Sequence, residues 1–70
     1  MYTFGYMNVL YKVESLNVGR GHYIQLPTGT FVIVTDIIGH ELEVELAAAS
    51  PTSSDTILHA EYFVETLAAY

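Results

Sequence analysis

The sequence contains no cysteine and no tryptophan, and its only basic residues are Lys12 and Arg20. Without cysteine there is no disulfide framework, no thiolate metal site and no thiol chemistry. Binding to DNA or RNA requires clustered lysine and arginine that neutralise phosphates, so this composition argues against direct nucleic-acid binding. The eight acidic residues give a formal net charge of −6, which suits a basic partner better than an acidic one.

Long apolar runs are also absent. The longest, Phe31 to Ile38, contains Thr35 and Asp36, whereas a membrane-spanning helix needs about 18 or more consecutive apolar residues. The first residues, Met1 to Tyr6, have neither the basic region nor the apolar region of a secretory signal. We therefore expect no membrane segment, and we expect the protein in the cytoplasm or assembled into a virus particle.

Hydrophobic residues nevertheless make up 51% of the 70 positions. A chain of this length predicts a single domain, 1–70, and buries only about 60% of the surface that its unfolded form exposes. Six tyrosines add phenol groups that need a polar partner or a wet edge. Because protein interfaces are rich in tyrosine and poor in lysine, we expect a partner to cover part of this surface, including Tyr2, Tyr6 and Tyr11. For any single tyrosine, a place at the rim of the core is the alternative.

The residue types predict short strands. Valine, isoleucine, threonine, tyrosine and phenylalanine dominate, and turn residues recur at regular intervals. From Tyr2 to Glu14 the alternation predicts one strand that is apolar on both sides and is therefore either covered on both faces or bent, with Gly5 permitting the bend. The two glycines within 17–21 predict a loop, and a second strand follows from His22 to Leu26.

Two tight turns flank the most hydrophobic part of the chain. Pro27 has the φ angle that the second position of a type I turn requires, and Gly29 suits the left-handed position that closes a bulged hairpin. Thr30 to Ile38 is apolar on both faces, which predicts a central strand. Gly39-His40 predicts a two-residue turn into the alternating strand Glu41 to Leu46.

The segment from Thr56 to Leu67, which follows a loop over residues 47–55, fits two periodicities. As a strand it directs inward Leu58, Ala60, Tyr62 and Val64. As a helix with Asp55 as N-cap it forms one stripe of Ile57, Ala60, Phe63, Val64 and Leu67. The β-rich context slightly favours a strand, which could finish in a helical turn at Ala68-Ala69-Tyr70.

These segments predict a mainly β fold, either a small five-stranded barrel or a strongly bent antiparallel sheet. The run Leu26 to Asp36, followed by Gly39 and the strand Leu42 to Leu46, resembles the core hairpins of SH3-like barrels of the KOW type. Those hairpins have a turn glycine, a hydrophobic strand, a second tight turn and a strand ending in Val-x-Leu. Many members of that superfamily bind RNA or ribosomal surfaces through basic and aromatic residues. Because this chain lacks the basic residues, the resemblance implies the fold without that function.

The second hairpin carries a cluster of acidic residues. With Gly39 and His40 in the turn, Asp36 lies opposite Glu43 and Thr35 lies opposite Val44. One face of the hairpin then holds Val34 and Ile38 together with four carboxylates, those of Asp36, Glu41, Glu43 and Glu45. Opposed like charges destabilise a sheet, so the cluster either keeps the protein soluble and its edge unpaired or steers association with a basic partner. Carboxylates that alternate along a regular strand argue against a Ca²⁺ site.

Little in the sequence suggests catalysis. His22, His40 and His59 lie on three segments without ligand-pair spacing, whereas a structural zinc site needs about four ligands. His59 and Glu61 share one side of the predicted strand, which leaves a small metal-assisted enzyme as a remote alternative. No serine lies in a nucleophile-elbow context. We therefore predict a protein that is not an enzyme and that binds no metal or cofactor.

Two functions from different classes explain these features. The first is a non-enzymatic structural or assembly module that forms a homo-oligomer or docks onto a larger protein assembly, as decoration or accessory proteins of virus particles do. It accounts for the apolar excess, the tyrosines and the scarce lysine. The second is an acidic inhibitor of the kind that phages encode, which occupies the basic site of a nucleic-acid-binding protein. It accounts best for the net charge and the acidic residues.

Overall fold

The computed structural model describes residues 1–63, which form an all-β fold of seven strands in one sheet. The strands are β1 (Tyr2–Tyr6), β2 (Val9–Val13), β3 (Tyr23–Gln25), β4 (Phe31–Ile38), β5 (Glu41–Leu46), β6 (Ile57–His59) and β7 (Glu61–Tyr62). Their order across the sheet is β6-β3-β4-β5-β1-β2-β7. The mainly β fold is confirmed, with seven strands where the sequence suggested five. The helical turn predicted at residues 68–70 lies outside the described residues.

The sheet is nearly closed into a barrel, compatible with an SH3-like barrel, because β6 and β7 lie at its two ends. They are consecutive in the chain and are separated only by Ala60. β6 pairs in parallel with β3, and β7 pairs antiparallel with β2. The amide of Ala60 donates to the carbonyl of Gln25 at 3.0 Å, and that of Phe63 donates to the carbonyl of Leu10 at 3.0 Å. Over residues 57–62 the strand prediction is confirmed and the helix alternative is wrong, because only an extended segment reaches both edges.

The single bent strand predicted from Tyr2 to Glu14 is wrong: this segment forms the β1–β2 hairpin, with Tyr6 opposite Val9. Met7 and Asn8 form its turn, with φ angles of 51° and 65°. Positive φ at both central residues is characteristic of a type I′ turn. The turn was missed because both sides of the segment are apolar, although asparagine tolerates the left-handed conformation and was a usable signal.

The turn after Pro27 has the predicted form. Gly29 has a φ of 95°, and its amide donates to the carbonyl of Leu26 at 2.8 Å. The amide of Leu26 in turn donates to the carbonyl of Thr30 at 2.8 Å. These bonds close a bulged hairpin between β3 and β4, in which only glycine adopts such a φ without strain.

The predicted register between β4 and β5 is confirmed near the turn and wrong beyond it. Asp36 lies opposite Glu43, but a bulge at Thr35 then sets Val34 opposite Val44. The hydroxyl of Thr35 donates to the carbonyl of Glu43 at 3.2 Å. A bulge inserts one extra residue into one strand, so it moves Val34 off the acidic face and into the core. Val34 and Ile37 face the same core only because Thr35 is inserted between them.

The core draws on the whole sheet. Its buried residues are Phe4, Tyr11, Val13, Ile24, Leu26, Val32, Val34, Leu42 and Ala60. The β1–β2 hairpin and the β4–β5 hairpin both supply core side chains. Each hairpin therefore depends on the other for burial of its apolar face. Residues 1–63 include no helix long and apolar enough to span a membrane.

Candidate functional site

The acidic face, defined as Asp36, Glu41, Glu43 and Glu45, lies on the outer side of β4 and β5. The three glutamates are exposed and Asp36 is half-buried. The bulge changes the partner of Glu45 on β4 but does not move Glu45 to the other face. Glu45 lies opposite Ile33 and stays on the outer side with the other three carboxylates. All four predicted acidic site residues are therefore on one accessible surface.

Arg20 compensates one carboxylate of this face. Its Nη2 lies 2.8 Å from Oδ1 of Asp36, and the amide of Ile37 donates to the same oxygen at 2.8 Å. The backbone hydrogen bond and then the Arg20 guanidinium hold the pKa of Asp36 below its usual value. The sequence carried no signal for this pair, because Arg20 belongs to the loop before β3.

The three glutamates are not neutralised in this way. Within residues 1–63, no basic side chain forms an ion pair with Glu41, Glu43 or Glu45. Lys12, the other basic residue, lies between Glu14 at 3.0 Å and Glu61 at 3.7 Å. The hydrogen bond and charge of Glu14 raise the pKa of Lys12, and Glu61 adds to the effect. Among the described residues, the charges of these three glutamates are therefore uncompensated by ion pairs.

A second surface lies at the turn of the β1–β2 hairpin. This apolar tip consists of Met7, Val9 and Leu10, of which Met7 is 79% exposed and Leu10 48% exposed. Sequence reasoning missed the apolar tip because it placed these residues within a continuous strand.

The three predicted tyrosine site residues have different surroundings. Tyr2 and Tyr6 are half-buried on β1 and pack against the core. Tyr11 is only 4% exposed, and its ring is stacked between Phe4, at a centroid distance of 5.4 Å, and Tyr62, at 5.5 Å. The assignment of Tyr11 to a partner surface is therefore corrected: β1–β2 pairing turns it into the core. Tyr2 and Tyr6 remain accessible in part.

A third feature is the weak seam between β1 and β5. These parallel strands are joined by one residue pair, Thr3 and Glu41. The amide of Thr3 donates to the carbonyl of His40 at 2.9 Å. β1 remains the neighbour of β5 on the side away from β4, so β5 is an inner strand of the sheet.

The histidines occupy separate places. Nδ1 of His22 accepts a hydrogen bond from the amide of Gly19 at 3.1 Å, which requires the tautomer protonated on Nε2. His40 and His59 are exposed. His59 and Glu61 fall on different strands, on either side of Ala60, and Glu61 contacts Lys12. In the described part of the chain, no three histidine, aspartate or glutamate side chains are grouped as metal ligands.

Comparison with known proteins found no matching protein-family model, no matching curated protein and no matching solved structure.

Proposed function

We propose that this protein is a non-enzymatic assembly module that associates with copies of itself or docks onto a larger protein assembly, such as a virus particle. Met7 carries the argument. It has a φ of 51° and is 79% exposed, so it occupies a strained position without contributing a buried side chain to the fold. Asparagine or glycine suits such a turn better, and strain of this kind concentrates at functional sites.

The neighbours of Met7 support the same function. Val9 and Leu10 add exposed apolar side chains on the two faces of β2 next to the turn, and half-buried Tyr6 precedes the turn. Methionine is flexible and polarisable, which suits an adaptable contact surface. Association would remove these side chains from water and account for the large apolar fraction of so short a chain.

Sedimentation velocity over a wide concentration range tests self-association. The variant Met7→Asn/Leu10→Thr removes the two most exposed side chains of the apolar tip while keeping residues that suit the turn and the strand. The matched control is Leu16→Ser, because Leu16 is 78% exposed but lies in the loop after β2. We expect concentration-dependent oligomers for the wild type and the control, and monomers for the double variant. A wild type that stays monomeric and cooperatively folded at every concentration contradicts self-association.

The docking form of the proposal has its own test. A photo-crosslinking residue at position 7 should then capture a defined partner, and one at position 16 should not. Equal capture at both positions, or none at either, contradicts docking through the apolar tip.

The second candidate is an acidic inhibitor of a nucleic-acid-binding protein. It is supported by the three exposed glutamates of the acidic face, which lack ion pairs among the described residues. A row of uncompensated carboxylates speeds association with a basic surface.

We also propose that the barrel is of the KOW type. The tight turns at Gly29 and Gly39 support this assignment.

A further inference from the structure

Met1 and Met7 carry the only sulfur atoms of this chain, which has two methionines and no cysteine. A thioether is oxidised reversibly to a sulfoxide, which converts a flexible apolar side chain into a polar one. Reversible oxidation at sulfur is therefore confined to these two positions. Met7 is 79% exposed and Met1 is 45% exposed, so a peroxide in the solvent reaches Met7 more freely than Met1.

The two methionines lie at opposite ends of β1. Met1 precedes the strand, whereas Met7 follows it in the turn that joins Tyr6 to Val9. Oxidation at position 7 therefore changes the apolar tip, and oxidation at position 1 does not. The molecule thus contains a control residue for the same chemistry.

The fold does not depend on the apolar character of Met7. Within residues 1–63, its side chain belongs neither to the buried core nor to the partly buried residues packed against it. Its φ of 51° belongs to a turn position that polar asparagine commonly occupies. A polar sulfoxide at this position therefore changes the surface of the protein and leaves the core and the sheet intact.

We infer that Met7 is a site of reversible oxidation through which a peroxide controls the association of copies of this chain. The thioether sulfur of Met7 loses two electrons and gains one oxygen atom as the O–O bond of hydrogen peroxide breaks, and the other oxygen leaves as water. A methionine side chain that is removed from water stabilises an apolar contact. The sulfoxide is hydrated instead and weakens that contact. The inference rests on the proposed function, because it concerns the regulation of the same apolar tip.

Charge is compatible with a second copy as the partner at this tip. No charged side chain occurs from Met1 to Tyr11. Two tips can therefore meet without bringing carboxylates together, although each chain has a net charge of −6. Association covers Met7, so the peroxide acts on free copies and prevents their return to the oligomer.

Limited oxidation by hydrogen peroxide, at a low and a high protein concentration, tests the inference. Peptide mass spectrometry locates the added oxygen, and sedimentation velocity measures the oligomers after the peroxide is removed. We expect Met7 to be oxidised before Met1 at low concentration, and its oxidation relative to Met1 to slow at high concentration. Protein oxidised at Met7 should associate about tenfold or more weakly. The two methionine sulfoxide reductases, one for each sulfoxide epimer, should restore the oligomers with a dithiol as reductant.

Two variants separate the sulfoxide from other effects of peroxide. Met7→Leu leaves Met1 as the only oxidisable sulfur, so its association, compared with itself before and after peroxide treatment, should not change. Met7→Gln places a polar, unbranched side chain in the turn and should associate as weakly as the oxidised wild type without any peroxide. Circular dichroism of every sample verifies the fold.

The outcomes distinguish this inference from the proposed function. Wild-type oligomers that persist after complete oxidation of Met7 overturn the inference and leave self-association intact. Loss of oligomers in peroxide-treated Met7→Leu, or oxidation of Met1 ahead of Met7 at low concentration, also overturns it. Unfolding on oxidation of Met7 overturns it as well, because the effect then arises from the fold. A wild type that is monomeric at every concentration contradicts self-association itself, and the inference fails with it.

Discussion

Replacing Gly29 by alanine separates the cost of a left-handed backbone from every packing effect. Gly29 has a φ of 95°, and a Cβ atom added there would meet no heavy atom within 4 Å. An L residue in this region costs about 1–2 kcal/mol. The reduced entropy of the unfolded chain returns about 0.4–1 kcal/mol. The net loss is therefore about 1 kcal/mol, and the β-branched variant Gly29→Val should lose at least as much.

Gly5→Ala is the matched control. Gly5 lies in β1 without a positive φ, and its added Cβ would lie 4.0 Å from the carbonyl oxygen of Val9, an ordinary contact. Only the unfolded-state effect then applies, so we expect unchanged stability or a gain of about 0.4–1 kcal/mol.

Thermal unfolding followed by circular dichroism measures both variants at one fixed protein concentration, because self-association shifts the melting temperature. For a domain of this size, a loss of 1 kcal/mol lowers Tm by about 4–8 °C. Gly29→Ala should therefore melt below the wild type and Gly5→Ala should not. Melting of Gly29→Ala at the wild-type temperature, or equal losses in both variants, would refute the reasoning from φ.

Three further predictions concern the core, the acidic face and acid stability. Ile24, fully buried in β3, should lose about 2–5 kcal/mol of unfolding free energy as Ile24→Ala in urea titrations; a smaller loss would contradict a tightly packed core. Glu43→Lys/Glu45→Lys should slow association with a basic partner and flatten its salt dependence, whereas unchanged rates at two salt concentrations would reject a binding role for the acidic face. Because the pKa of Asp36 is lowered, its carboxylate stabilises the fold above the usual aspartate pKa, and this contribution is lost as the pH falls through the lowered value. Asp36→Asn should therefore reduce the loss of stability on acidification in urea titrations, and an unchanged pH profile would contradict the stabilisation of this carboxylate by the Ile37 amide and Arg20.

The acidic face shows how much of the candidate site could be predicted. Its four residues follow from alternation along β5 and from the turn at Gly39-His40, both of which are local. The ion pair between Arg20 and Asp36 could not be predicted, because no periodic spacing in the sequence connects the loop that carries Arg20 with the strand that carries Asp36. The pairing of β1 with β5 was equally inaccessible, since it joins two segments that are distant in sequence. Tyr11 was assigned to the surface because composition cannot distinguish a buried tyrosine from an exposed one.

Local backbone chemistry determined the β class and two of the turns. Proline and glycine restrict or extend the φ angles available at single positions, so Pro27 and Gly29 predicted their turn without knowledge of the rest of the chain. Some segments are apolar on both faces. Only the tertiary structure decided where the chain turns within them and where their strand pairing shifts register. The hairpin at Met7-Asn8, the bulge at Thr35 and the extended segment around Ala60 each place side chains in one shared core. That selection depends on contacts between residues distant in sequence, which no local pattern contains.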